Sequence, residues 1–79
     1  MSQALSFDLE VDASGLKCPM PILRTKKALA QLQSGQVVKV ITTDAHAKDA
    51  FQAFADQTGI TLLAQQPSNE ALIHYLRRR

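Results

Sequence analysis

Pro19 and Pro21, one residue apart and directly behind the single cysteine Cys18, constrain the fold more than any other feature of the chain. Proline has no N–H and a fixed φ, so it disrupts a helix interior or a central strand. It suits the first turn of a helix, where the N–H has no intrahelical partner in any case. The pair therefore predicts a helix whose first residue is Pro19, with Cys18 at or next to its N-cap. Upstream, Leu5, Phe7, Leu9 and Val11 alternate with Ser6, Asp8, Glu10 and Asp12, the period-two pattern of a strand with one buried face. Ala13-Ser14-Gly15-Leu16-Lys17 connects the two, and Gly15 supplies the backbone freedom for the turn. The thiol is expected at a strand-to-helix corner.

From Pro19 to about Leu32, Ile22, Thr25, Leu29 and Leu32 recur at three- and four-residue steps, which gives an amphipathic helix ended by Ser34-Gly35. Val37-Val38-Lys39-Val40-Ile41 is β-branched and almost continuously apolar, as an interior strand requires. Asp44 is expected to cap a second helix, in which Ala47, Ala50, Phe51, Phe54 and Ala55 form one stripe and Gly59 is the stop. Ile60 to Gln65 and Ala71 to Leu76 read as an antiparallel hairpin around Gln66-Pro67-Ser68-Asn69-Glu70. The order β-α-β-α-β-β predicts an α/β (α+β) two-layer sandwich, with both helices on one face of a four-stranded mixed sheet.

Seventy-nine residues, 46% hydrophobic and 20% charged, are expected to form one domain over 1–79, at the size where a single core only just offsets chain entropy. A lone cysteine excludes an internal disulfide, so a reducing compartment is expected. The start of the chain meets Asp8 before any apolar run develops, and no stretch is long enough to span a bilayer. Cytoplasm is the expected location, with no membrane partner. A formal charge of +2 does not imply direct nucleic-acid binding, and Arg77-Arg78-Arg79 is read as a solvated end.

The position of Cys18 favours chemistry over packing. Partial positive charge at a helix start favours a thiolate, the form that attacks sulfur, although this effect alone lowers a thiol pKa by well under about one unit. Lys17 and Arg24 are the expected charge partners, while Pro19 and Pro21 leave the N–H groups of Met20 and Ile22 to face an anion. Lys26 and Lys27 either extend a basic rim or, the favoured reading, are simply solvated on the helix surface.

The run Asp12-Ala13-Ser14-Gly15-Leu16-Lys17-Cys18-Pro19-Met20-Pro21 resembles the signature of the TusA/SirA family of small sulfur-carrier proteins. The element order, the length and Thr43-Asp44 after the second strand are similar too. The resemblance implies that Cys18 accepts sulfane sulfur as a persulfide from a donor such as a cysteine desulfurase, whose pyridoxal cofactor stays with that partner, and passes it to an acceptor protein. No cofactor of its own is implied. Family members serve tRNA thiolation or cofactor sulfur supply, and some serve sulfur oxidation or regulation. Asp12, Gly15, Pro19 and Pro21 take site-shaping positions in this resemblance, with Lys17, Arg24 and Lys27 as charge partners or partner-binding residues. Ala45 stands where many relatives carry proline, and the chain has no second, resolving cysteine.

Other chemistries lack their residues. His46 and His74 share no metal-ligand spacing with Cys18, so no metal site is expected. Gly15, Gly35 and Gly59 are isolated and form no phosphate loop. Asp12 and Asp44 are expected to make turns and caps rather than a carboxylate pair. Phe7, Phe51, Phe54 and Tyr75 fall mainly on buried faces. Two alternatives to a carrier remain: a regulatory or adaptor module binding protein or RNA around the first helix, and a redox sensor oxidised reversibly at Cys18.

Overall fold

The computed structural model describes residues 6–17 and 19–79, so the expectations that fall on Leu5 and Cys18 lie outside the described residues. Strands β1 (Leu9–Ala13), β2 (Val37–Thr42), β3 (Thr61–Ser68) and β4 (Ala71–Arg77) alternate with helices α1 (Met20–Ala30) and α2 (Ala47–Thr58) in the expected order. The sheet runs β1-β2-β4-β3, with β1 parallel to β2 and β4 antiparallel to both its neighbours. β2 is interior, as its apolar run predicts.

Alternation sorts each strand into two faces. Val38, Val40 and Leu76 of the inner strands pack with Ala28, Leu29 and Leu32 and with Ala47, Phe51 and Phe54. Leu9, Val11 and Leu62 complete this layer from the edges. Both helices therefore cover one face of a mixed sheet, and α1 also touches α2. On the opposite face, Tyr75 is only 1% exposed, between Lys39 on β2 and Ala64 on β3.

Several boundaries move. β1 starts at Leu9, because Asp8 makes the entry contact instead: its N–H donates to the Val37 carbonyl at 2.8 Å and its carboxylate accepts the Val37 N–H at 2.9 Å. Phe7 is left 40% exposed, with Lys39 Nζ 5.1 Å from its ring centre, rather than in the core. Pro19 is the N-cap of α1 and not its first residue, for its carbonyl accepts the Leu23 N–H at 3.0 Å while its ψ of 13° is not helical. Helix α1 ends at Ala30, where Gln31 and Leu32 close back onto Ala28 and Leu29 in tighter i to i−3 bonds. Gly35 lies well past that end, in the Gln33–Gln36 turn.

The N-cap of α2 is His46, two residues beyond Asp44, because the Asp44 carbonyl instead closes a turn onto the Ala47 N–H. Gly59 ends α2 as expected, at φ +77° with its N–H on the Ala55 carbonyl. β3 continues through Pro67 to Ser68, which leaves Asn69-Glu70 as the turn. β3 is an edge strand, where a missing N–H can face solvent.

A buried polar relay crosses this apolar layer. The His74 ring, fully buried, stacks on Phe51 with 4.2 Å between centroids. One Gln65 amide nitrogen donates both to the Lys48 carbonyl at 3.0 Å and to His74 Nδ1 at 3.1 Å. A carbonyl can only accept, so that corner of Gln65 is the nitrogen, Nδ1 accepts, and Nε2 carries the ring proton. Nε2 then donates to Thr42 Oγ1 at 2.8 Å, and that hydroxyl donates to the Leu72 carbonyl at 3.2 Å.

Truncating Phe51 to Ala is expected to cost about 3–5 kcal/mol of stability by urea unfolding, since it removes a fully buried ring and the face on which His74 stacks. Burial also pushes the His74 pKa from 6.5 down to about 4. Between those values the unfolded chain binds a proton that the fold refuses, so stability is full above the upper value and declines as pH falls toward the lower one. At roughly 1.4 kcal/mol per unit the total is on the order of 3 kcal/mol. Urea midpoints measured across this range are expected to fall for the wild type and to stay level for His74→Gln.

Candidate functional site

The candidate site is assembled where β1 and β2 both end. Asp12, one residue before the end of β1, accepts the Ser14 N–H at 3.0 Å. Bonds from the Ser14 hydroxyl and then from its N–H hold the Asp12 carboxyl below its usual pKa range. Gly15 turns the chain at φ +80°, a conformation that a side chain at Cβ would oppose even though the space around it is open. Its N–H donates to Thr43 Oγ1 at 2.8 Å, a contact from the first loop to the residue just past β2. The Leu16 N–H returns to the Ala13 carbonyl at 3.2 Å, and the Leu16 side chain packs partly on the core. The turn is thus tied to the sheet by three successive N–H groups.

Lys17 is exposed, and its carbonyl accepts the Met20 N–H at 2.9 Å. That amide is therefore engaged within the turn, contrary to the expectation that it faces an anion. The expected nucleophile, Cys18, lies outside the described residues, between Lys17 and the N-cap Pro19. Pro21, at the second helical position, is fully buried, and its carbonyl accepts the Thr25 hydroxyl at 2.8 Å. Pro19 is exposed and Pro21 is anchored, so the proline pair fixes both the start of α1 and its seating on the core.

The expected basic rim is divided. Arg24 and Lys27 line a groove of about 530 Å³ beside β1, together with Gln31 and the acidic pair Glu10 and Asp12. Lys26 belongs elsewhere: its Nζ lies 6.0 Å from the Phe54 ring centre, and it lines a second groove with Arg78 and Arg79. The reason is helical geometry, since one residue turns the direction of a side chain by about 100°. Arg78 is not simply solvated, for its guanidinium donates to the Leu32 carbonyl near the end of α1.

Two features escaped sequence reasoning. Met20 and Leu23 are 43% and 49% exposed, one turn apart beside Arg24 and Lys27. Their signal was present, because both fall off the Ile22, Thr25, Leu29 stripe. Thr43 was marked only by the resemblance, with no role attached, because nothing in local spacing pairs its hydroxyl with Gly15. Among the described residues, no group of three His, Cys, Asp or Glu side chains is placed to hold a metal ion.

Comparisons with known proteins agree on one family. The family model described as sulfurtransferase TusA matches residues 9–78. A sulfur carrier protein TusA of Allochromatium vinosum is 58% identical over 57 residues, covering 72% of this chain and 75% of its own. A putative sulfur carrier protein of Bacillus subtilis is 42% identical over 74 residues, covering 94% of this chain and 99% of its own. The crystal structure of a SirA-like protein from Desulfitobacterium hafniense superposes with TM-score 0.79 at 29% identity, covering 89% of this chain and 96% of that one.

Removing the Asp12 carboxylate tests the first tie of the turn. In Asp12→Ala, exchange of the Ser14 amide measured by NMR is expected to accelerate, while the amides of Val38 and Val40 on β2 keep their protection.

Proposed function

The chain belongs to the TusA family of sulfurtransferases, and we propose that it acts as a sulfur carrier, holding sulfane sulfur as a persulfide on Cys18 between a donor and an acceptor protein. The observation that supports this most is the pairing of the chain's single cysteine with a turn that is hydrogen-bonded to the sheet on one side and a proline-capped helix on the other. Relatives named as sulfur carriers support the same reading.

In the receiving step, the Cys18 thiolate attacks the outer sulfur of a donor persulfide. One S–S bond forms at Cys18, one breaks at the donor, and the donor cysteine leaves as a thiolate. Release is the same exchange in reverse roles, with an acceptor thiolate attacking the outer sulfur and Cys18 leaving. No external oxidant enters, because sulfane sulfur passes between thiols at constant oxidation level. One thiol suffices for both steps, and a reducing compartment such as the cytoplasm keeps it available. Among the described residues, no helix is long and apolar enough to cross a membrane.

Docking is assigned to the exposed face of α1. Met20 and Leu23 offer apolar contact beside Arg24 and Lys27, which suits an acidic surface on a donor or acceptor protein. The same face supports the second reading, an adaptor module that needs the surface but not the thiol.

Incubation with a cysteine desulfurase and cysteine is expected to add one sulfur to wild type by intact mass, and none to Cys18→Ser. Equal labelling of both, or of neither, overturns the carrier reading. For the adaptor reading the pattern is reversed: Cys18→Ser keeps activity in complementation, while charge reversal at Arg24 and Lys27 abolishes it.

A further inference from the structure

Of the three N–H groups that fasten the turn ahead of Cys18, those of Ser14 and Leu16 return to β1, the strand the turn has just left. The Gly15 bond reaches a different strand, across 28 residues of sequence. Gly15 and Thr43 are both exposed, so water could satisfy either group. The protein bond therefore adds restraint rather than solvation.

Restraint requires a fixed anchor, and Thr43 has one. It directly follows Thr42, the last residue of β2, whose side chain is fully buried. The Thr42 hydroxyl is held between the Leu72 carbonyl and His74 Nε2, and His74 is held in turn by the Gln65 amide and the Phe51 ring. Gln65 is itself tied to the Lys48 carbonyl of α2 and accepts from Gln52 at 3.0 Å. Elements β2, β3, β4 and α2 thus converge on the carboxyl end of β2 through hydrogen bonds whose donors and acceptors all match.

We propose that Thr43 is a positioning residue for the thiol: its hydroxyl, anchored by the buried Thr42–His74 pair, pins Gly15 and so fixes the segment that leads into Cys18. This rests on the reading of Cys18 as the sulfur-bearing residue. Thr43 itself touches no reacting atom. It sets the orientation of the turn, and through it that of Lys17 against the start of α1. Loss of the tether releases Gly15 and loosens Lys17 against the start of α1, the two sources of positive charge that flank position 18 in the chain.

The rate of Cys18 alkylation by iodoacetamide, followed against pH on the full chain, reads this directly. In Thr43→Val, which keeps the shape and removes the acceptor, the midpoint of the profile is expected to rise by about half a pH unit, giving about threefold slower alkylation near neutrality. Thr43→Ser, which restores the hydroxyl, is expected to overlay wild type. Far-UV circular dichroism checks the fold of each variant, and Thr43→Ala replaces Thr43→Val if valine disturbs it. A profile for Thr43→Val that matches wild type overturns the proposal, as does a serine variant that shifts as far as valine. Sulfur uptake from a persulfide donor is measured in parallel. If wild type takes up none, the carrier reading fails while the alkylation profiles still decide the role of Thr43.

Discussion

The parallel pairing of β1 with β2 is the constraint on which the other features depend. Leu9 to Ala13 lie beside Val38 to Thr42 in the same direction, so no hairpin can join them. The chain must leave the carboxyl end of β1, cross one face of the sheet and return to the amino end of β2. Helix α1 makes that crossing, and its buried Thr25, Ala28 and Leu29 fill the space it spans. The crossing also brings the turn after β1 to the same end of the sheet as Thr43. A strand-to-helix corner and a strand end far away in sequence thereby become one structure.

The core beneath that end carries an unusual load of polarity for so small a layer. His74, Thr42 and Thr25 are all fully buried, yet each has its hydrogen bonds met. A buried polar group left without a partner costs on the order of 1–3 kcal/mol, so such groups accept few alternative arrangements. Directionality is the consequence. The relay from Lys48 through Gln65, His74 and Thr42 to Leu72 works with one tautomer and one amide orientation. The depressed basicity of His74 follows from the same burial.

Much of this was legible in the sequence, for identifiable reasons. Alternation in Leu9 to Val11, the β-branched run of β2 and the Phe51, Phe54 stripe of α2 each carry the period of their element, and each forms as expected. Misplaced boundaries fall where a local signal competes with a tertiary one. Pro67 looks like a turn former, but an edge strand tolerates it. Asp44 looks like an N-cap, but the backbone turns once more before α2 begins. Phe7 fits the strand pattern, yet the Asp8–Val37 contact starts the ladder after it. In the candidate site, the turn residues Asp12 and Gly15 were readable from local chemistry. The Thr43 tether and the division of the basic residues were not, because both depend on which elements become neighbours.

The functional reading comes down to a turn that belongs to the sheet rather than hanging from it. A sulfur carrier has to meet a donor and an acceptor in turn, and a defined approach to each is easier from a fixed base. Amide hydrogen exchange of Ser14, Gly15 and Leu16 in the wild-type chain measures that property most directly. Exchange slowed to the level of the β1 and β2 amides is expected at all three positions. Exchange at the rate of an open coil would contradict the hydrogen-bonded turn and, with it, the fixed base from which the proposed carrier works.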